Sequence, residues 1–161
     1  MEEYIKQVLQ TYPRRELSAP ERRLAAVLVP VYQHNGDYGV IFTQRSDTVY
    51  YHRGQISFPG GGHEVHDASL QHTALRESAE EIGLQPAHVQ VLGQLDDLLT
   101  TGSNYLVRPF VGMLPYPYPF ILILPRDRID HRGTTYLATA TQSSQPGTPP
   151  PCRTPGPKLL F

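Results

Sequence analysis

The spacing of apolar residues changes period along the chain, and each change predicts an element. Over residues 2–12, Ile5, Val8, Leu9 and Tyr12 recur at helical intervals, which predicts a short amphipathic helix. A linker beginning Pro13-Arg14-Arg15 then runs to Pro20. Leu24–Tyr32 is almost continuously apolar and predicts a buried strand, and Gly39–Thr43 predicts a second. Asn35-Gly36-Asp37 lies between them and tolerates positive φ, so a hairpin is the expected connection. Gln55–Phe58 reads as a further short strand stopped by Pro59, and the glycine run 60–62 is expected to be irregular backbone that can approach a ligand closely. Leu70, Thr73, Ala74, Leu75, Ser78 and Ile82 define one face of a helix over Ser69–Ile82, with Asp67 or Ser69 as its cap. Gly83 follows, where a left-handed C-cap is expected. Val89–Leu92 and Tyr105–Leu114 complete the strands. Strands, a helix and more strands predict an α/β sandwich around a mixed sheet. Residues 137–157 are dense in Thr, Ser, Gln, Pro and Gly and are expected to stay disordered. The expected organisation is therefore a helix and linker over 1–20, a domain over 21–130 and a tail over 131–161, with no internal repeat.

Composition narrows the partners. The 161 residues suit one domain of ordinary size. Lys and Arg number 14 against 15 Asp and Glu, a net charge of −1, which argues against nucleic acid or an anionic membrane as partner. Cys152 is the single cysteine, so no intrachain disulfide can form. The start Met1-Glu2-Glu3 lacks the basic-then-apolar order of a secretory signal, and the runs Leu24–Val31 and Phe120–Leu124 fall short of the about 20 apolar residues that span a bilayer. The end Lys158-Leu159-Leu160-Phe161 is not the Ser-Lys-Leu address. A cytoplasmic location is the expectation, and the oligomeric state is not readable.

The helix over 69–82 carries the candidate chemistry. Each helical residue advances roughly 100°, so Glu77, Glu80 and Glu81 share one end and one side. Like charges at this spacing repel, and the helix dipole disfavours anions at a C-terminus. Arg76 supplies one positive charge for three carboxylates. A hard divalent cation, Mg²⁺ or Mn²⁺, is the natural compensator, because it takes carboxylate oxygens together with water and substrate phosphates. Carboxylates, a metal and a glycine turn together suit a pyrophosphate, although such a cluster can also be a solvated helix face. His63, His66 and His72 have no cysteine near them and match no common zinc spacing, so loop and surface roles are expected of them. The tyrosines and prolines of 115–120 read as a rigid loop rather than a stacking platform.

The order of these residues resembles the Nudix box, G-x5-E-x7-R-E-U-x-E-E-x-G-U with U a bulky apolar residue. Gly62, Arg76, Glu77, Glu80, Glu81, Gly83 and Leu84 match it, whereas Ala68 stands at the first Glu and Ser78 at the first U. Asp67, next to Ala68, is a substitute orienting carboxylate or a cap. Phe42-Thr43-Gln44-Arg45-Ser46 and the stretch His52 to Gly61 are similar to the added signature of the coenzyme A pyrophosphatase branch, in which the missing first Glu is usual. The resemblance covers residues 42–84, with a weaker likeness to Leu114.

It implies a Nudix-type α/β/α sandwich and a metal-dependent hydrolase of coenzyme A or its thioesters, releasing 3′,5′-ADP and 4′-phosphopantetheine. Glu77 and Glu81 are then the metal ligands, Glu80 a ligand or the base toward water, and Arg76 the residue that orients them. Arg45, His52, Gly54, Gln55, Gly61 and Gly62 are the expected substrate contacts. Phe120 runs directly into Ile121-Leu122-Ile123-Leu124-Pro125, where the family carries a further acidic segment, so the C-terminal part of the fold is expected to be shortened. Two alternatives remain open from the residues: a degenerate nucleotide-binding module with little turnover, or a hydrolase of another nucleoside diphosphate derivative.

Overall fold

The computed structural model describes residues 2–45, 56–120 and 135–142, with Gln44, Arg45 and 135–142 described through their backbone alone. Helix α1 (Glu2–Thr11) is followed by strands β1 (Arg23–His34) and β2 (Asp37–Arg45), then the short strands β3 (Ile56–Ser57) and β4 (Gly60–Gly62). Helix α2 (Leu70–Ile82), a 3₁₀ turn (Pro86–His88), β5 (Gln90–Gln94), β6 (Leu98–Leu99), β7 (Tyr105–Leu114) and β8 (Thr135–Gln142) complete the order. The strands form one mixed sheet, with a path β3-β2-β1-β7-β5 and with β4 beside β1, β6 beside β7 and β8 beside β2. Only β1 and β7 run parallel among these described pairs; the others are antiparallel.

β1 is apolar almost throughout because it is covered on both faces. Ala26, Leu28 and Tyr32 point to one side, where they join Ala74, Ile82, Leu84 and Phe110 beneath α2. Val29 and Val31 point to the other, where they join Leu92, Val111 and the α1 residues Ile5 and Leu9. The alternation of β1 therefore builds both layers of an α/β/α sandwich, as expected. The hairpin after it turns at Asn35 (φ 51°) and Gly36 (φ 89°), with His34 opposite Asp37.

Two sequence expectations need correction. Gly60–Gly62 is regular: Gly62, Gly61 and Gly60 pair antiparallel with Ala25, Ala26 and Val27. Glycine has little strand propensity of its own, so the long edge of β1 supplies the order. Residues 137–142, expected to be disordered, belong to β8, which pairs with β2 from Tyr38↔Gln142 to Arg45↔Thr135. A strand edge offers a row of backbone donors and acceptors, and meeting them requires no apolar run. The stretch at Ile121, where a shortened end is expected, lies outside the described residues, as do 143–161. The loop at 115–120 is largely exposed but anchored: Tyr116 stacks on Tyr32 at 5.0 Å, and the Tyr118 hydroxyl accepts the Gln85 N–H at 2.7 Å.

Candidate active site

Local sequence sets both ends of the helix that carries the site. Ser69 is the N-cap, its hydroxyl accepting the His72 N–H at 3.1 Å, and Gly83 closes the C-terminus at φ 68°. Asp67 is thereby free for another task. Its carboxylate is fully buried and receives Arg76 through two parallel bonds, Nε to Oδ1 at 2.9 Å and Nη2 to Oδ2 at 3.0 Å. The Thr73 hydroxyl (2.9 Å), the Glu64 N–H (3.0 Å) and the His72 ring (2.9 Å) complete its shell. The Arg76 bonds, outweighing the cost of burial, hold Asp67 well below the usual carboxylate range, with further help from Glu64 N–H, Thr73 and His72. Of the two roles the sequence left to Asp67, the geometry is that of the orienting carboxylate.

Arg76 passes this order on. Its Nη1 donates to Glu77 at 3.0 Å and Glu80 at 3.2 Å, and its Nη2 donates to the Gly62 carbonyl at 3.2 Å. With the two bonds to Asp67, the five N–H groups of the guanidinium all have acceptors. Asp67, Glu77 and Glu80 also keep its positive charge in place.

Glu77 is only 3% exposed and lies against β4. A Cβ at Gly61 would collide with its carboxylate, so this close approach requires glycine. One turn later, Glu81 accepts the Gly60 N–H at 3.2 Å. The two carboxylates four residues apart thus converge on one short strand. Glu80 differs: its side chain is 57% exposed, and with His72 and Arg76 it borders a depression of about 430 Å³ floored by Leu75, Ala79 and Pro86. Ser78, at a position where the Nudix box has an apolar residue, is buried and satisfies its hydroxyl on the Ala74 carbonyl at 2.7 Å.

The structure therefore brings Arg76, Glu77, Glu80, Glu81, Gly61 and Gly62 together. Arg45 ends β2, but its side chain lies outside the description, and His52, Gly54 and Gln55 lie outside the described residues altogether. Sequence reasoning missed a second polar centre. Asp97, 3% exposed, receives Arg108 through Nε at 2.8 Å and Nη2 at 2.9 Å, together with Arg14 and the Leu17 N–H. The available signal was Arg108 itself, a charge in the middle of an apolar strand, which demands a partner.

Fold and site together define the class. The chain matches the family model of the NUDIX domain over residues 21–150, and it belongs to the Nudix family. It is 43% identical over 107 residues, 66% of this chain and 56% of the other, to a Photorhabdus laumondii protein named uncharacterized Nudix hydrolase NudL. The chain spans about half the length of the curated relatives it matches. The fold is similar to that of a C. elegans Ap4A hydrolase in a binary complex, with TM-score 0.55, 17% identity and coverage of 73% of this chain and 78% of that one. It is also similar to the M. smegmatis Nudix hydrolase RenU, with TM-score 0.56, 16% identity and coverage of 73% and 70%. Among the described residues, no helix is long and apolar enough to cross a membrane.

Proposed function

We propose that the protein is a divalent-metal-dependent hydrolase that cleaves the pyrophosphate linkage of a nucleotide derivative. The convergence of Glu77 and Glu81 on the backbone of Gly60–Gly62 carries this reading. Three carboxylates, Asp67, Glu77 and Glu80, contact the Arg76 guanidinium, and Glu81 accepts the Gly60 N–H one helical turn beyond Glu77. Among the described residues, no group of three or more His, Cys, Asp or Glu side chains is placed to hold a metal ion by itself. The pair Glu77 and Glu81 suits Mg²⁺ or Mn²⁺, which accept one or two carboxylates and leave the rest of the shell to water and substrate phosphates.

Glu77 and Glu81 are the proposed ligands. A metal held there supplies charge neutralisation on the phosphate oxygens and acidifies a bound water. Glu80, the accessible carboxylate, serves as a further ligand or accepts the proton of the attacking water. Arg76, its donors all engaged, positions these groups. Gly61 and Gly62 keep the strand beside the carboxylates free of side chains, where a phosphate can approach.

Within this class, coenzyme A or an acyl-CoA is the proposed substrate, with Arg45, His52, Gly54 and Gln55 as its contacts; support comes from the signature over 42–61. The test is a phosphate-release panel over CoA, 3′-dephospho-CoA, NADH, ADP-ribose and dinucleoside polyphosphates with Mg²⁺ or Mn²⁺. A cation paired with the 3′-phosphate should favour CoA over 3′-dephospho-CoA by about ten- to a hundredfold in kcat/KM. Equal rates on those two, or a preference for ADP-ribose or NADH, defeat the coenzyme A reading and leave the hydrolase class standing. No metal-dependent turnover of any of them defeats the class.

A further inference from the structure

His63 follows the glycine strand directly, and its ring is 29% exposed. The backbone N–H of His63 donates to the Leu24 carbonyl at 2.9 Å, so the residue is anchored to β1. Its Nδ1 lies 2.8 Å from the hydroxyl of Thr73, which is fully buried in α2. That hydroxyl has a single hydrogen and two acceptors for it, Asp67 Oδ2 at 2.9 Å and the Ser69 carbonyl at 3.2 Å. Neither acceptor offers a proton in return, since the Asp67 carboxyl is ionised. The Thr73 oxygen must therefore accept from His63, and the ring nitrogen facing it carries the hydrogen.

These bonds close a ring. From Gly62 the path runs through its carbonyl to Arg76, then to Asp67, to Thr73, to His63, and back to Gly62 through the peptide bond. One side of the ring is the strand against which Glu77 and Glu81 rest, and the other side is the helix from which they project. We propose that His63 and Thr73 are positioning residues: through Asp67 and Arg76 they fix the gap between the glycine strand and the Glu77–Glu81 pair, and so set metal affinity. The proposal rests on the hydrolase reading above for its consequence, though not for its geometry.

Two measurements judge it. Long-range ¹H–¹⁵N correlation spectra of the full chain locate the imidazole hydrogens; the expected result at His63 is a hydrogen on Nδ1, and a hydrogen confined to Nε2 overturns the ring. Mn²⁺ binding followed by the EPR signal of the free ion should weaken about tenfold in Thr73→Val, with kcat falling by a similar factor. KM for the nucleotide should stay within about twofold, and Thr73→Ser should restore both quantities. A folded Thr73→Val with unchanged Mn²⁺ affinity and kcat overturns the proposal. If that variant fails to fold, His63→Ala carries the same expectation, because its truncation falls on a partly exposed ring. If the unaltered protein binds Mn²⁺ but hydrolyses no diphosphate, the hydrolase reading falls, while the tautomer and the Mn²⁺ titrations still decide the ring.

Discussion

Two buried aspartates, Asp67 and Asp97, are built with the same chemistry. Each has a side chain closed to solvent, each receives an arginine through paired Nε and Nη2 bonds of 2.8–3.0 Å, and each accepts a backbone N–H. They differ in what the arginine does next. Arg76 reaches on to Glu77, Glu80 and the Gly62 carbonyl, so Asp67 orders a cluster of acids that all belong to residues 62–80. Arg108 reaches instead to Glu16 at 2.6 Å, and Arg14 bridges Glu16 and Asp97. Asp97 thereby ties the linker after α1 to β7, its linker partners Leu17 and Arg14 lying 80 and 83 positions away in the chain. Asp97 N–H also donates to the Arg15 carbonyl, and Asp96 accepts from Arg15 N–H and the Tyr12 hydroxyl. One unit prepares a site, and the other fastens a segment that covers the second face of the sheet.

The comparison breaks most easily by truncation. Asp97→Ala strands Arg108 in a protected position and should cost about 3–5 kcal/mol of stability, read as a lower urea midpoint. The folded fraction should keep its kcat. Asp67→Ala should lose kcat as well as stability, because Arg76 is released from the acids it orders. Equal kcat losses in the two variants would dissolve the distinction.

Next in size is the effect of Glu81→Gln, which removes a proposed ligand charge and leaves the helix isosteric. A loss of turnover of roughly 10²-fold or more is expected at saturating Mg²⁺. Without metal its Tm should not fall, since the change relieves repulsion with Glu77. Near-native turnover in this variant would remove Glu81 from the ligand set.

Acid titration sharpens the likeness between the two units rather than their difference. The arginine bonds depress Asp67; at Asp97 burial pushes upward but is outweighed by Arg108, the Leu17 N–H and the charges of Arg108 and Arg14. A carboxylate depressed in the folded state stabilises it above the unfolded value and loses that contribution as pH falls toward the folded one. Urea stability should therefore be level at neutral pH and decline below about pH 4. Asp67→Asn and Asp97→Asn should each flatten that decline, and an unchanged acid limb would show that neither group is depressed.

The smallest effect is expected at the exposed end of the second unit. Glu16 is 60% exposed, so Glu16→Gln should change stability by under about 1 kcal/mol, and less at high salt. A larger cost would mean that Glu16, and not Asp97, holds the linker.

Much of the fold is legible in the order of residues because its causes are local. Asn35-Gly36 turns the hairpin, Gly83 ends α2, and Tyr105–Leu114 is a strand over the full span that its apolar run predicts. The spacing of Arg76, Glu77, Glu80 and Glu81 likewise puts four charges on one helix end before any coordinates are known, since helical periodicity is a property of the backbone. The tertiary structure alone decides the rest, and in each case the determining partner is distant in the chain. Gly60–Gly62 becomes a strand because the edge of β1 is there to pair with it, and 135–142 does so on the edge of β2. Asp67 becomes an orienting group rather than a cap because Ser69 already caps the helix and Arg76 comes within reach of it. Asp97 and Arg108 read singly as unplaced charges; burial makes them one unit, since neither could leave water without the other.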